Sequence, residues 1–423
     1  MDEVQRVVVV GQGYVGLPLA MRALEAGFDV VGYDLDAARI NRLKAGTSFI
    51  EDIDDGVVGA ALASGRYMVT TNFDDVDFFD IAVVTVPTPL RDSMPDLSFV
   101  ESSAHTLGRK LSVGSLVVLE STTYPGTTRE LMVPILEDCS GLKAGIDFFV
   151  GYSPERIDPG NRVWTFRTTP KVVSGINEAS LEAVAGFYSL LVDRVVPVGG
   201  CEEAELTKLI ENTFRHVNVA LINELAVFAD ELGVNLWESI EAAATKPFGF
   251  MKFTPGPGVG GHCLPIDPSY LSWRVKQALG KPFRFVELAN DVNEHMPDYV
   301  VRRVTLNLNR ARMAVNGSRI VVLGMSYKRN SGDARESPSI AVALQLDALG
   351  ADVITVDPHV IEAPRSISAL RREELSAELL RDADMVVLLT DHDVFDYDLI
   401  VRESKRIFDA RHRLPGSPNV ELL

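Results

Sequence analysis

The stretch that decides the fold is Arg6-Val7-Val8-Val9-Val10-Gly11-Gln12-Gly13-Tyr14-Val15-Gly16, close to the N-terminus. Its four consecutive valines predict a strand that is buried on both faces of a parallel sheet. The glycines form a GxGxxG pattern, and helical spacing of apolar residues continues over Tyr14–Ala26. A second predicted strand, Asp29–Tyr33, runs into Asp34, which stands 23 residues after Gly11. This order and spacing predict a dinucleotide-binding βαβ unit.

Each part of the glycine-rich turn has its own role in holding a dinucleotide. Gly11 permits the tight turn, Gly13 lets a pyrophosphate approach the backbone, and Gly16 lets the helix pack on the strand. The helix N-terminus presents free N–H groups to the phosphates. Asp34 would accept hydrogen bonds from a ribose 2′-OH, which favours NAD over NADP, although Arg39 is close enough in sequence to weaken that preference. The sequence therefore predicts NAD; the alternative is a glycine-rich turn without a ligand.

Polar residues follow three further predicted strands, Ile81–Val86, Leu116–Glu120 and Phe148–Gly151. Ligands of doubly wound sheets bind beyond the carboxyl ends of the strands. The polar segments that follow these three strands, called the polar exits below, are therefore candidate walls of one cleft. Each exit taken alone is equally consistent with an ordinary turn. The segments are Val86-Pro87-Thr88-Pro89, Ser121-Thr122-Thr123-Tyr124-Pro125-Gly126 and Tyr152-Ser153-Pro154-Glu155-Arg156.

The residue pattern of the chain changes after this first α/β region. No glycine or proline interrupts Glu202–Leu232, whose apolar positions recur at three and four, so one long helix is predicted. A second α/β region follows, with strands predicted at Arg319–Leu323, Asp352–Val356, Met385–Leu389 and Arg406–Phe408.

The predicted fold class is α/β, with two Rossmann-like doubly wound domains joined by the long central helix and a helical middle domain. The expected domain bounds are 1–198 for the NAD-binding domain, 199–300 for the central helical domain and 301–423 for the C-terminal Rossmann-like domain.

The composition argues against several partners. Lys plus Arg number 41 and Asp plus Glu number 59, which gives a net charge of −18. This balance argues against nucleic acid, because phosphate backbones bind basic patches. Cys139, Cys201 and Cys263 include no CxxC pair, so we predict no metal site, no disulfide framework and a reducing, cytoplasmic location. The apolar run at the N-terminus is too short to span a membrane.

One cysteine lies in a segment, Pro255–Pro268, that is rich in glycine and proline. Such a segment forms neither a regular helix nor a regular strand, and it lets backbone approach a ligand with the Cys263 thiol at its centre. Beside a nucleotide site, a lone thiol suggests covalent catalysis; the alternative is a rigid turn with an inert cysteine. Lys208 and Asn212 share one face of the long helix and would place two donors at an oxyanion, unless that face is simply solvated.

Eight motifs follow one another along nearly the whole chain. They are GxGYVGLPLA at Gly11–Ala20, TVPTP at Thr85–Pro89, STTYPGT at Ser121–Thr127, SPERIDPGN at Ser153–Asn161, AELTKLIENTFR at Ala204–Arg215, PGPGVGGHCLPIDP at Pro255–Pro268, YKRNSGDARESPS at Tyr327–Ser339 and FDAR at Phe408–Arg411. In this order they resemble the UDP-glucose/GDP-mannose dehydrogenase family of NAD-dependent nucleotide-sugar 6-dehydrogenases. The resemblance implies an N-terminal NAD domain, a dimer-forming helical middle and a C-terminal sugar-nucleotide domain.

The resemblance also implies a reaction, the four-electron oxidation of the sugar C6 hydroxymethyl to a carboxylate, which yields a uronic acid for polysaccharide biosynthesis. Matched motif to motif, Cys263 is the nucleophile, which passes through a thiohemiacetal and a thioester. Lys208 and Asn212 stabilise oxyanions, and Asp267 supports the lysine and a water. Glu155 and Thr122 are candidates for proton transfer and for positioning water.

The match extends to two sets of binding residues. The cofactor-binding residues implied are Gly11, Gly13, Tyr14, Val15, Gly16, Asp34, Arg39, Val86, Pro87, Thr88, Thr122, Glu155, Cys263 and Arg335. The substrate-binding residues implied are Glu155, Arg156, Lys208, Asn212, Phe250, Phe253, Gly260, Lys328 and Arg411.

The motif forms resemble the UDP-N-acetylhexosamine branch more than the plain UDP-glucose branch. Lys252 and Thr254 depart from the more apolar and aromatic residues expected there, so a dTDP-hexose or another nucleotide hexose stays open as substrate. Two other classes are alternatives: a two-electron dehydrogenase of the hydroxy-acid or 6-phosphogluconate type, and a non-catalytic NAD-binding redox sensor. The first would form one NADH per product and the second none.

Overall fold

A computed structural model describes residues 4–50, 53–91, 94–157, 161, 163–261, 264–361 and 364–423. The chain divides into two compact units. One comprises Met1–Glu211 with Trp273–Leu279, and the other comprises Asn212–Ser272 with Gly280–Leu423. The division falls within two helices, α7 (Cys201–Leu232) and α9 (Asp267–Leu279).

The first unit is built on a sheet of eight strands within its described residues, in the order β10-β9-β8-β7-β4-β1-β2-β3. Neighbouring strands are parallel except β8 and β9, which pair antiparallel. The run from β3 to β8 has the strand order of a dinucleotide-binding fold. The strands are β1 Arg6–Val10, β2 Asp29–Tyr33, β3 Tyr67–Thr70, β4 Ile81–Val84, β7 Leu116–Leu119, β8 Phe149–Tyr152, β9 Lys171–Gly175 and β10 Val195–Pro197, with a separate hairpin of β5 Leu90–Arg91 and β6 Met94–Pro95.

Helices cover both faces of this sheet, as its largely buried strands require. Val7, Val8 and Val9 of β1 are completely buried. Helix α1 begins at Gly16 rather than at Tyr14 as predicted, because the residues between Gly11 and Gly16 form the turn. The helices are α1 Gly16–Glu25, α2 Ala37–Lys44, α3 Asp55–Ala63, α4 Ser98–Gly108, α5 Val133–Ser140 and α6 Glu178–Ser189.

The second unit repeats this topology in its C-terminal part. Its sheet has the order β13-β12-β11-β14-β15-β16, and every neighbouring pair is parallel. The strands are β11 Arg319–Leu323, β12 Asp352–Val356, β13 Arg371–Arg372, β14 Met385–Leu388, β15 Ile407–Asp409 and β16 Val420–Leu422. The helices are α8 Leu236–Ala244, α10 Arg284–Glu294, α11 Met296–Arg310, α12 Pro338–Ala348, α13 Ala377–Asp382 and α14 Tyr397–Glu403.

The predicted fold class is confirmed: two doubly wound α/β sheets, a long central helix and further helices in the middle of the chain. Helix α7 begins one residue before the prediction, at Cys201. Among the residues that the structure describes, no helix has both the length and the apolar character that crossing a membrane requires.

Candidate active site

The turn after β1 has the geometry that its three glycines predict. Gly11 has a φ of +96°, and a Cβ there would lie 2.8 Å from the Thr85 carbonyl oxygen. A Cβ on Gly16 would lie 1.8 Å from the Gly11 carbonyl oxygen, so only glycine lets α1 pack this closely. A Cβ on Gly13 would meet nothing within 4 Å, which leaves open space above the turn. The turn is therefore tightly packed at Gly11 and Gly16, and it leaves space at Gly13, where a pyrophosphate can approach the backbone.

The N-terminus of α1 is suited to an anion. Val15 occupies the N-cap position and supplies no side-chain hydrogen bond, and the first turn contains no acidic residue. The Thr85 hydroxyl donates to the carbonyls of Val10 and Gly11, 2.9 Å away in each case, and so fixes the turn. The Leu17 N–H donates to the Gly13 carbonyl oxygen and the Leu19 N–H to that of Val15. The positive end of the helix dipole, with no acidic side chain beside it, is therefore what favours a phosphate here.

Asp34 follows β2 and is held in a fixed orientation. Its carboxylate accepts hydrogen bonds from the backbone N–H of Gln12 at 2.7 Å and of Asp36 at 2.9 Å. The Arg39 guanidinium donates to the same carboxylate at 2.6 Å and lies 5.4 Å from the centre of the Phe49 ring. A buried acid beside the glycine-rich turn fits the ribose of NAD. Arg39, which the sequence analysis placed near this acid, forms an ion pair with it.

The three polar exits follow adjacent strands of one sheet. Val84 of β4 pairs with Leu119 of β7, which pairs in turn with Tyr152 of β8. The Ser121 hydroxyl donates to the Val86 carbonyl oxygen at 2.8 Å and ties two of the exits together. Pro87 is exposed, and Thr88, Thr122 and Glu155 are half-buried. These predicted site residues therefore lie at the same edge of the sheet.

A buried polar network that the sequence analysis missed surrounds Glu155. The Lys171 ammonium lies 2.9 Å from a Glu120 oxygen and 3.6 Å from Glu155 Oε2. The Tyr188 hydroxyl donates to Glu120, and the Glu155 carboxylate also accepts from the N–H of Ile157. The only signals in the sequence are an acid that ends one strand and a lysine that begins another, and neither shows that they meet.

Burial sets the charge balance of this network. It raises the pKa of Glu120 and of Tyr188. Burial by itself lowers the pKa of Lys171, but attraction to Glu120 and Glu155 outweighs it, so this pKa lies above its ordinary value. Lys171 therefore stays charged and provides a cation beside Glu155, because a buried charge is tolerated only when it is paired.

The loop after β8 is attached to α7 through Arg156. This guanidinium donates to both Glu211 carboxylate oxygens, at 3.1 and 2.6 Å, and to the Pro170 carbonyl oxygen at 2.7 Å. Arg156 was predicted to contact substrate; here two of its donors contact α7. Lys208, one turn before Glu211 on α7, is buried and makes no ion pair with any residue that the structure describes.

Glu205 of α7 holds the segment that follows the Thr122 exit. Its two carboxylate oxygens accept from the N–H of Gly126 at 2.6 Å and from the N–H and hydroxyl of Thr128 at 2.8 and 2.7 Å. Burial raises the pKa of Glu205 to about 7, against the opposing effect of these hydrogen bonds. Sequence reasoning missed this residue too, since a glutamate on a long helix is usually solvated.

In the second unit, Asn212 and Asp267 are brought together. The Asn212 amide donates to Asp267 Oδ2 at 2.6 Å, and Asp267 is the first residue of α9 and buried. Cys263 and His262 lie outside the described residues.

The glycines before Cys263 are required by close packing. A Cβ on Gly260 would lie 2.6 Å from the Glu336 carbonyl oxygen, and one on Gly261 would lie 2.7 Å from the Tyr327 ring. A Cβ on Gly256 would lie 2.8 Å from an Arg411 guanidinium nitrogen. Three predicted parts of the site, the glycine segment, the loop after β11 and Arg411, are therefore neighbours in this unit.

The other predicted substrate and cofactor residues of this unit have these positions. Lys328 is half-buried in the loop after β11, and Arg335 of the following segment forms an ion pair with Asp333 at 2.5 Å. Phe250 is exposed, and the Phe253 ring centre lies 5.9 Å from that of Phe214.

The sheet order, the Gly11–Gly16 turn and the buried Asp34 define a dinucleotide-binding α/β protein. Comparison with known families narrows the class. Residues 5–192 match the NAD binding domain of the UDP-glucose/GDP-mannose dehydrogenase family, residues 202–295 its central domain and residues 321–415 its UDP binding domain. The chain therefore belongs to this family, as its motifs indicated, and is an NAD-dependent nucleotide-sugar dehydrogenase. Both alternative classes, the two-electron dehydrogenase and the redox sensor, are set aside.

Individual relatives resemble the chain over most of its length. A UDP-N-acetyl-D-mannosamine dehydrogenase of Pyrococcus horikoshii is 35% identical over 391 residues, 92% of this chain and 90% of the relative. An NDP-N-acetyl-D-galactosaminuronic acid dehydrogenase of Ralstonia solanacearum is 36% identical over 419 residues, 96% and 95% of the two chains. The solved structure of a UDP-D-ManNAc dehydrogenase from Pyrococcus horikoshii superposes with a TM-score of 0.89 at 32% identity, covering 99% and 98% of the chains.

Proposed function

We propose that the substrate is a UDP-N-acetylhexosamine, with UDP-N-acetyl-D-mannosamine first among candidates, and that its C6 hydroxymethyl becomes a carboxylate. The observation that carries this proposal is the full-length similarity to a dehydrogenase of that sugar nucleotide. The relative that acts on an N-acetylgalactosamine derivative favours an N-acetylhexosamine more generally. A dTDP-hexose or another nucleotide hexose is the alternative to be tested beside it.

The proposed chemistry uses a covalent bond to Cys263. Bound NAD+ would serve as the electron acceptor: C6 would lose one hydride to it in each of two rounds, so one product yields two NADH. Between the rounds the Cys263 sulfur adds to the C6 aldehyde, and the thiohemiacetal that forms becomes a thioester when it loses its hydride. Water then attacks the thioester carbonyl carbon, which releases the carboxylate and returns the thiol.

The described residues have three proposed roles: donation to oxyanions, positioning of water and binding of NAD. Lys208 is a buried cation and Asn212 keeps one amide N–H beyond the one it gives to Asp267, so both would donate to oxyanions. Glu155, 3.6 Å from the Lys171 ammonium, would position water together with Thr122. The turn at Gly11–Gly16, with Asp34 and Arg39, would hold NAD.

We also propose the domain bounds 1–198, 199–300 and 301–423, a homodimer formed through the central helix, and a cytoplasmic location. The dimer is supported by a stripe of exposed large apolar residues on α7, because such stripes are usually covered by a partner. The stripe consists of Ile210, Phe214, Leu221, Leu225, Phe228 and Leu232. The dimer is tested by measuring the mass of the wild type and of a Leu221→Glu, Leu225→Glu double variant by sedimentation. We expect the wild type to be a dimer and the double variant a monomer.

A panel of sugar nucleotides tests the function. The protein is incubated with NAD+ and UDP-N-acetyl-D-mannosamine, UDP-N-acetyl-D-glucosamine, UDP-N-acetyl-D-galactosamine, UDP-glucose, GDP-mannose or dTDP-glucose, and NADH and the acid product are both quantified. We expect the highest kcat/KM with a UDP-N-acetylhexosamine and two NADH per carboxylate. A preference for a sugar without the N-acetyl group, or one NADH per product, would reject the proposal.

A further inference from the structure

Behind the loop that carries Lys328 lies a completely buried imidazole, that of His392. His392 follows β14 by four residues, and its ring makes hydrogen bonds on both sides. Its Nδ1 lies 3.0 Å from the backbone nitrogen of Asn330, and its Nε2 lies 3.1 Å from Asp357 Oδ2. The ring therefore stands between the acid that follows β12 and the far end of the Lys328 loop.

The geometry fixes the tautomer of this histidine. The Asn330 nitrogen is a backbone N–H and can only donate, so Nδ1 accepts and carries no proton. Nε2 must then carry the proton and donate to the Asp357 carboxylate, with the Ser326 hydroxyl 3.3 Å away. His392 is thus neutral in this arrangement, and each nitrogen has a separate task.

The same loop is fixed at its start, between Ser326 and Lys328. Asp357 Oδ2 accepts from the N–H of Met325 at 2.6 Å and of Ser326 at 3.0 Å. The Ser326 hydroxyl donates to the Lys328 carbonyl oxygen at 2.9 Å. Asp357 and His392 therefore hold residues 325–330 from both ends, and Lys328 stands in the middle.

The loop held in this way also packs on the glycine segment. Tyr327 lies so close to Gly260 and Gly261 that a Cβ on either would come within 2.7 Å of Tyr327 atoms. A shift of the loop would therefore move Lys328 and press on Gly260 and Gly261.

We propose that His392 is a positioning residue for sugar-nucleotide binding, which acts by latching the 325–330 loop through the Nδ1 acceptor. The inference rests on the proposed function and on Lys328 as one of the substrate-binding residues that the family resemblance implies. His392 itself touches no substrate, because its side chain is completely buried beneath the loop.

Two near-isosteric variants separate the tasks of the two nitrogens. His392→Asn retains an acceptor close to the position of Nδ1 and loses the donor of Nε2. His392→Gln retains a donor close to Nε2 and loses the acceptor. The matched control is Tyr397→Phe, which removes a hydrogen bond to the His392 carbonyl oxygen and leaves the imidazole intact. For each protein, KM is measured for UDP-N-acetyl-D-mannosamine and for NAD+, and NAD+ affinity is measured directly by titration.

We expect His392→Gln to raise the sugar-nucleotide KM about tenfold or more, because the partly buried Asn330 N–H loses its acceptor and the loop its latch. His392→Asn should raise it clearly less, and Tyr397→Phe should stay within about twofold, with NAD+ affinity unchanged in all three. The latch is overturned if His392→Gln leaves the sugar-nucleotide KM unchanged, if His392→Asn is as impaired as His392→Gln, or if NAD+ affinity falls in parallel. Failure of the wild type on every sugar of the panel would instead reject the proposed function.

Discussion

Asn212 and Asp267 form a hydrogen bond of 2.6 Å between the amide nitrogen of one and a carboxylate oxygen of the other. The bond joins α7 to the first residue of α9, and Asp267 is buried. An amide nitrogen carries two hydrogens, so Asn212 can hold Asp267 and still donate once more. The bond offsets part of the cost of burying the Asp267 carboxylate, and in the proposed mechanism the second amide hydrogen would donate to an oxyanion.

Replacing Asn212 with Asp should cost activity severely. The change places two carboxylates at hydrogen-bond distance, where both cannot be ionised, and removes the donor. We expect kcat to fall roughly 10²-fold or more. Asn218→Asp on the same helix is the control, because the Asn218 amide donates to a backbone carbonyl and faces no acid there. Similar kcat values for the two variants would show that Asn212 has no catalytic role.

Lys208→Ala should lower kcat far more than it weakens NAD+ binding. Lys208 is buried and has no ion-pair partner among the described residues, which is costly unless a negative charge develops nearby during the reaction. Loss of one preorganised donor typically costs about 10²–10³ in rate. Arg215→Ala removes an exposed cation from the same helix and serves as control. Equal small effects of both changes on kcat would make Lys208 structural.

The wild type should prefer NAD+ to NADP+. The Asp34 carboxylate would repel a 2′-phosphate, and the expected penalty is about 1–3 kcal/mol, or roughly 5- to 150-fold in kcat/KM. Asp34→Asn should reduce the ratio of kcat/KM for NAD+ to kcat/KM for NADP+, because Arg39 loses its ion-pair partner and becomes available to the 2′-phosphate. Asp36→Asn keeps a capping side chain at the start of α2 and should leave the ratio unchanged. Equal kcat/KM of the wild type for both cofactors would show that Asp34 is misassigned.

Cys263→Ala should abolish formation of the carboxylate and leave NAD+ affinity close to that of the wild type. Without the sulfur no thioester forms, so oxidation should stop at the aldehyde. Cys139→Ala, a half-buried cysteine outside the motifs, is the control and should retain turnover. The product acid is quantified by mass spectrometry, and normal acid production by Cys263→Ala would eliminate the covalent mechanism.

Glu205 should make the stability of the protein pH-dependent. Its pKa in the folded protein, about 7, lies above the value of 4.5 expected for the unfolded chain. The folded state therefore binds the Glu205 proton more tightly than the unfolded chain does, and this tighter binding adds to the free energy of unfolding. The contribution is complete below about pH 4.5 and is lost as the pH rises through about 7. The shift corresponds to about 3 kcal/mol.

The Glu205→Gln variant isolates this effect, because its side chain does not titrate. We expect the Tm of the wild type to fall more than that of the variant between about pH 5 and about pH 8. The exposed Glu203→Gln, two residues earlier on α7, corrects for changes in net charge. If the Tm of the wild type and that of Glu205→Gln fall by the same amount over this range, the Glu205 carboxylate is ionised throughout. Its three hydrogen bonds would then lower its pKa by more than burial raises it.

The sequence by itself determined the backbone framework. Short apolar runs that end at a glycine, such as Val7–Val10 and Arg319–Leu323, predict strands covered on both faces, and uninterrupted helical spacing marks α7. The roles of Gly11, Gly13 and Gly16 follow from what a missing Cβ allows, which is a local property of the chain. Local constraints of this kind also placed Asp34 at the end of β2 and the cysteine in a glycine segment.

Only the tertiary structure decided which polar side chains meet. Lys171 contacts Glu120 and Glu155 because β7, β8 and β9 are neighbours in the sheet, and strand neighbours are not marked in the sequence. His392 meets Asn330 because β11 and β14 are adjacent, although 62 residues separate the pair. Each side chain carries little signal alone, since a buried charge or imidazole is acceptable only once its partners are present.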